Sequence, residues 1–136
     1  MDRKKLFKNL AFLIFLIFFA DFIAHKLYWY SSVWYFDMLM HFFGGLWLGL
    51  FLIWFFYADF SPTLRKFLKI IIGVLLIGIL WEVFEILVNQ VAAQNSLNFL
   101  DIVSDLFFDL AGGIFALFYF IKKDRQTGES NIQLSA

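Results

Sequence analysis

The sequence contains no cysteine and a single proline among its 136 residues. The absence of cysteine excludes disulfides, thiolate metal ligands and cysteine nucleophiles. Acidic and basic residues balance at 11 each, so no basic excess favours a nucleic-acid partner, and none is expected. Charged residues make up only 16% of the chain, far fewer than in a soluble domain of this length.

Hydrophobic residues make up 62% of the chain, and the mean hydropathy is +0.80. Four apolar segments, at about 6–28, 36–57, 62–89 and 99–121, are each near or above the roughly 20 residues that a membrane-spanning helix needs. The sequence therefore predicts an all-α, polytopic membrane protein with four transmembrane helices. Its residues 122–136 are expected to form a polar, frayed cytoplasmic tail.

Local signals support these segments. Ser61 and Pro62 are typical of an N-cap and a first helical position, and Asn98 with Asp101 resembles a capping box. A signal peptide is the alternative interpretation of the first segment, but no small-x-small cleavage site follows its apolar run.

The basic residues predict the orientation of the helices. Ten of them flank the start of the first segment, the connection between the second and third, and the end of the fourth, whereas Lys26 alone lies between the first and second. By the positive-inside rule, both termini are expected on the cytoplasmic side of a bacterial plasma membrane. The outward-running helices then carry their acids late and the inward-running helices carry theirs early, so all lie in the outer half of the bilayer.

Ionisable residues inside these segments are the strongest functional signal, because a charge in hydrocarbon is costly. Seven carboxylates and two histidines fall there. The candidate pocket residues are Asp37, His41, Glu82, Glu85, Asp101, Asp105 and Asp109, and the peripheral ones are Asp21 and His25. Their spacings of three and four residues place each set on one helix face. The sequence thus predicts an outward-facing acidic pocket between the helices.

Glycines mark predicted packing faces on three of the helices, with Gly45-x3-Gly49 and Gly112-x3-Ala116 fitting the small-residue pattern of membrane helix pairs. An internal echo relates Asp37-x3-His41-x2-Gly44-Gly45 to Asp105-x3-Asp109-x2-Gly112-Gly113 at an offset of 68 residues. This echo predicts two parallel hairpins related by a pseudo-twofold axis along the membrane normal.

Three of these motifs resemble known families. The string Asp37-Met-Leu-Met-His41-Phe42 resembles the Asp-x3-His-Phe motif of VanZ-like bacterial membrane proteins. Trp81-Glu82-Val-Phe-Glu85 resembles the Glu-x-x-Glu of the related YjdF-type inner-membrane proteins, and Asp101-x3-Asp105-x6-Gly112-Gly113 is similar to their Asp-x3-Asp-x6-Gly-Ala stretch. Met38, Glu85 and Asp109 depart from the VanZ pattern, so the YjdF-type resemblance is closer. It implies a cell-envelope role without naming a reaction.

Three bases, His25, His41 and Lys26, cannot neutralise seven carboxylates. A divalent metal held by His41, Glu82, Glu85, Asp105 and Asp109 is one solution, with Mg²⁺, Mn²⁺, Ca²⁺ or Zn²⁺ as candidates. Protonated acids in an interhelical hydrogen-bond network are the other.

Three classes of function remain open from the sequence. The pocket is expected to bind a lipid head group or a lipid-linked precursor, or to hydrolyse it with the help of a metal, or to carry cations or protons. No obvious nucleophile or nucleotide-binding loop accompanies the acids, so the sequence does not decide whether the protein is an enzyme.

Overall fold

The computed structural model describes residues 3–56, 63–92 and 98–134, with only the backbone described for 89–92 and 124–134. Its helices are α1 (Arg3–Lys26), α2 (Trp29–Ser32), α3 (Phe36–Phe56), α4 (Leu64–Ala92) and α5 (Phe99–Leu134), and the described ranges contain no strand. Four of them, all but α2, are long and apolar enough to cross a membrane. The predicted all-α class with four candidate spans is confirmed, and the direction in which they cross stays a prediction.

The first predicted segment ends earlier than expected. Helix α1 stops at Lys26, and Tyr28 takes a left-handed conformation with φ of 56°. The hydroxyls of Ser31 and Ser32 donate hydrogen bonds to the Tyr28 carbonyl, at 2.9 and 2.8 Å. The apolar pattern that extends to Tyr28 therefore hides a turn, because these local hydrogen bonds start the short helix α2.

Two further helix ends differ from the sequence prediction. Ser61 and Pro62, expected to start α4, lie outside the described residues; the described helix begins at Leu64, and the Lys66 amide donates to the Thr63 hydroxyl at 3.4 Å. Helix α5 continues to Leu134 instead of ending at Ile121, so the backbone of the expected frayed tail is helical. Residues 122–134 include no proline, so every backbone amide can join the helix, and α5 continues through Gly128 despite its low helix propensity.

Helix α3 is the centre of the bundle, since it contacts α1, α4 and α5. On the α1 side, the Trp47 indole donates to the Leu10 carbonyl at 3.0 Å, and Arg3 donates to the Trp54 carbonyl at 3.1 Å. These pairs show that α1 and α3 are antiparallel. Within the described residues α1 does not pack on α4 or α5, so the groove between α3, α4 and α5 is built without it.

Helices α3 and α5 run parallel and approach closely along a row of small residues. A Cβ on Gly45 would overlap the Asp109 backbone, one on Gly112 would overlap the Phe42 carbonyl, and one on Gly49 would lie 2.8 Å from the Ala116 Cβ. The contact of Gly45 with Asp109 mirrors that of Gly112 with Phe42 if each residue of α3 corresponds to the residue 67 positions later in α5. This offset is one residue less than that of the sequence motif. Helix α4 breaks the symmetry because it contacts both α3 and α5.

The apolar core occupies one half of the bundle. It is formed by residues from the first half of α1 and α4 and the second half of α3 and α5: Leu6, Leu10, Leu50, Leu52, Ile53, Ile70, Val74, Ala116, Leu117 and Phe120. The other half of α3, α4 and α5 holds the buried ionisable residues. The bundle is therefore divided along its length into an apolar end and a polar end.

Candidate functional site

His41 is the centre of the polar end. It is buried on α3, and its ring reaches carboxylates from three helices. The Nε2 atom lies 3.9 Å from Asp37 Oδ1, 4.0 Å from Glu82 Oε1 and 4.0 Å from Asp105 Oδ1. One ring nitrogen thus faces an oxygen from α3, one from α4 and one from α5.

The second ring nitrogen faces a different carboxylate. His41 Nδ1 lies 3.4 Å from Asp109 Oδ1, and both side chains are buried. With its proton on Nδ1, the imidazole donates toward Asp109 and leaves the Nε2 lone pair directed at Asp37, Glu82 and Asp105. This is the arrangement in which a carboxylate orients a histidine that binds a metal.

One buried oxygen of Glu82 lacks a hydrogen-bond partner among the described residues. The residue is 5% exposed, and the oxygen is Oε1, which is fully buried. A buried acceptor without a donor costs about 1–3 kcal/mol, and more when it is charged. Since this oxygen points toward His41 Nε2, a cation or a proton between them would remove the penalty.

The described side chains form two sets with the spacing of metal ligands. Asp37, His41 and Asp105 make one set, and His41, Glu82 and Glu85 make the other; within each, the candidate ligand atoms lie within 4.8 Å of one another. The residues predicted as a metal site are thus brought together, with two differences. Asp37 joins the ligand atoms, and Asp109 lies behind His41.

Glycines make room for these side chains. A Cβ on Gly78 would lie 2.7 Å from Asp109 Oδ2, so α4 lacks a side chain where the carboxylate sits. Gly45 lets the Asp109 backbone approach α3. Gly44 borders open space, because a Cβ added to it would have no atom of another helix within 4 Å. Packing and site geometry therefore depend on Gly45 and Gly78, but not on Gly44.

Asp21 and His25 lie apart from this cluster. His25 Nε2 is 3.5 Å from Asp21 Oδ1, and the Tyr30 hydroxyl donates to the same oxygen at 2.6 Å. Burial, and then the hydrogen bond to Asp21, raise the pKa of the Tyr30 hydroxyl well above its ordinary value of 10.0. Asp21 thus has partners in α1 and α2.

Asp101 is exposed, and neither ligand set in the described part of the chain includes it. The stripe Asp101, Asp105, Asp109 therefore divides into one surface acid and two buried ones. Ile102 donates from its amide to the Asn98 carbonyl at 3.3 Å, which places Asp101 in the first turn of α5. An acid there suits the positive end of the helix dipole.

Two residues that shape these sites were not singled out as site residues from the sequence. Gly78 lies one turn before Glu82 on the same helix face, and this i, i+4 spacing was the available signal. Tyr30 had no such signal, because its contact with Asp21 depends on the turn at Tyr28.

Comparison with known protein families gives a match over most of the chain. A family model described as predicted membrane protein (DUF2238) matches residues 2–125. No curated protein and no solved structure matches the chain. The matched range includes every residue of the buried cluster.

Proposed function

The chain belongs to the DUF2238 family of predicted membrane proteins, and we propose that it binds a divalent cation in the polar end of its helical bundle. The observation that carries this proposal is the buried, unpartnered Oε1 of Glu82, 4.0 Å from His41 Nε2. A buried carboxylate oxygen without a partner, next to an imidazole nitrogen, supports a cation beside these groups.

Charge balance supports a cation. Asp37, Glu82, Glu85, Asp105 and Asp109 surround a single imidazole, and three of these acids are buried. Removing an ionised carboxylate from water without compensation costs several kcal/mol. Several such carboxylates together would cost about as much as the whole folding free energy of a small domain. A dication compensates two of these charges and supplies the partner that Glu82 lacks.

The donor chemistry narrows the choice of ion. One imidazole nitrogen with carboxylate oxygens suits Mn²⁺ and Zn²⁺ better than Mg²⁺ or Ca²⁺, which prefer oxygen ligands alone. The proposed ligands come from the two sets, Asp37, His41 and Asp105 in one and His41, Glu82 and Glu85 in the other, and Asp109 orients His41 through Nδ1.

The external ligand of the ion is proposed to be a lipid head group or a lipid-linked precursor. Asp37 and Glu85 are only half-buried, whereas His41, Glu82 and Asp105 are buried, so the cluster opens on the side of those two acids. The YjdF-type and VanZ-like resemblance, with its cell-envelope role in a bacterial plasma membrane, agrees with such a ligand. On this proposal the opening faces the outer leaflet.

Hydrolysis of that ligand is the alternative function. An ion with an open coordination position can activate water and polarise a phosphate ester. Such a position would lie on the half-buried side of the cluster, next to Asp37 and Glu85. Turnover of a radiolabelled lipid panel distinguishes hydrolysis from binding. Transport has less support, because all four buried polar side chains among the described residues belong to the cluster and none extends into the apolar end.

The test is elemental analysis of purified protein after chelation and reloading with Mn²⁺ or Zn²⁺. Wild type should retain the ion at stoichiometric levels. His41→Ala, Glu82→Gln and Asp105→Asn should each retain less of it, because each removes a ligand from one or both sets while the amide variants preserve shape.

Asp21→Asn and Asp101→Asn are the matched controls, since both remove an acid that lies outside the ligand sets. They should retain the ion. Wild-type protein that holds no ion above the level of the His41→Ala variant would rule the proposal out.

A further inference from the structure

We infer that the cluster binds two divalent cations side by side, one in each ligand set; this inference rests on the proposed cation-binding function. The first ion is assigned to Asp37, His41 and Asp105, between α3 and α5. The second is assigned to Glu82 and Glu85 on α4, next to His41.

The geometry separates the two positions. Asp37 and Asp105 lie with His41 in one set, and Glu82 and Glu85 lie with it in the other, yet no single set of mutually close ligand atoms among the described residues contains both Glu82 and Asp105. His41 is the one residue common to both. The acids are therefore grouped on two sides of the imidazole rather than around one point.

His41 can bind only one of the two ions. Its Nδ1 faces Asp109 at 3.4 Å, so Nε2 is the nitrogen left to bind an ion. We assign Nε2 to the first ion, since Asp37 lies four residues before His41 on the same face of α3 and both are held in register by one helix. The second ion then has oxygen ligands from Glu82 and Glu85. Mixed and all-oxygen donor sets differ in the metals they prefer.

Charge balance also favours two ions over one. Five carboxylates, Asp37, Glu82, Glu85, Asp105 and Asp109, lie around one imidazole. One dication leaves most of their charge uncompensated in a helical bundle, whereas two compensate all but one unit. The unpartnered, 5% exposed Glu82 independently indicates a ligand on the α4 side, where one ion bound between Asp37 and Asp105 would not satisfy it.

The experiment loads the full chain in nanodiscs with Mn²⁺ after chelation, counts the ions by elemental analysis, and records electron paramagnetic resonance spectra. Wild type should hold two Mn²⁺ per chain with the broadened spectrum of a coupled pair. Glu85→Gln should hold one Mn²⁺ with the six-line spectrum of an isolated ion. Asp101→Asn, an exposed acid outside both sets, should behave as wild type.

The outcomes separate this inference from the proposed function. A wild-type protein with one Mn²⁺, or with two that are not coupled, overturns the paired site and leaves cation binding in place. A wild-type protein with none overturns both. Neither result depends on the folding of a variant, and circular dichroism of Glu85→Gln shows whether its single ion reflects a folded chain.

Discussion

Two Asp-x3-His pairs with the same spacing have opposite surroundings. In the first pair, Asp21 and His25 lie 3.5 Å apart with side chains 38% and 71% exposed, and Tyr30 hydrogen-bonds the aspartate. In the second pair, Asp37 and His41 lie 3.9 Å apart, and the histidine side chain is only 7% exposed. The same local pattern thus gives a satisfied surface pair on α1 and the centre of a buried cluster on α3.

The difference arises from the neighbours and not from the pair. Within the described residues α1 packs on α3 and α2 alone, so its outer face remains open. Helix α3 instead packs on both α4 and α5, which bring Glu82, Asp105 and Asp109 to the imidazole. A motif in one helix therefore indicates a site only when a second helix brings partners to it.

The largest expected effect concerns the side of the membrane on which both pairs lie. The labelling that tests it is expected to be all-or-none. The chain lacks cysteine, so single cysteines can be introduced at Ser96 and at Ser130. By the positive-inside rule, an impermeant maleimide added to intact cells should label the first and not the second. The reverse pattern would put the polar end at the cytoplasmic surface.

Removing each histidine in turn tests the difference between the two pairs most directly. His41→Ala leaves several buried acids without their base and should lower the free energy of unfolding by about 3–5 kcal/mol. His25→Ala should change it by less than about 0.5 kcal/mol, because an exposed ion pair contributes little. Denaturant titration in detergent measures both. Equal losses would contradict the difference in burial.

Removal of the cation should affect the buried pair alone. A ligand at about 100 times its Kd stabilises the folded state by about 2.7 kcal/mol, so EDTA should lower the Tm of wild type by several degrees. The Asp21→Asn variant should show the same EDTA effect, and Asp105→Asn should show a smaller one. An unchanged wild-type Tm would favour the protonated hydrogen-bond network.

Two adjacent glycines test the packing that encloses the buried pair. Gly45→Ala puts a methyl group against the Asp109 backbone and should cost about 1–3 kcal/mol, because a packed interface cannot absorb it. Gly44→Ala enters open space and should stabilise the helix by up to about 1 kcal/mol. Thermal melts of the two variants check the sign of each effect. The larger change Gly45→Leu should separate α3 from α5.

The smallest effect belongs to the peripheral pair. The folded chain keeps the proton on Tyr30 to higher pH than an unfolded chain, whose tyrosine pKa is 10.0. The stabilisation is therefore fully present below pH 10 and is lost as the pH rises above it. Tyr30→Phe should make the alkaline fall in Tm shallower. Asp21→Asn should do so in part, since it removes the negative charge beside the hydroxyl but not the burial.

Much of the fold follows from the sequence because apolar runs of sufficient length leave a chain in a membrane few alternatives to helices. The clustering of His41, Glu82, Asp105 and Asp109 follows from their spacing once the order of the helices is known. Which acids become buried does not follow. Asp101 lies on the same face as Asp105 and yet is exposed, because burial depends on the packing of neighbouring helices as well as on the helix face.

Other details depended on tertiary contacts or on local backbone hydrogen bonds. The turn at Tyr28 lies inside the first predicted segment and is fixed by two serine hydroxyls. The offset of 67 between α3 and α5 differs by one residue from the sequence echo, because the packing follows the closest approach of the backbones and not the acidic motif. Neither can be read from residue types alone.

The dependence of the cluster on α5 has a consequence for how the protein is made. His41 and Glu82 are synthesised before Asp105 and Asp109, and α3 finds its main packing partner only when α5 arrives. Until then, the ionisable groups of α3 and α4 must keep water or the insertion machinery around them, because lipid does not solvate them. Membrane insertion of the earlier helices is therefore provisional, and the polar end is closed off as a late step of biogenesis.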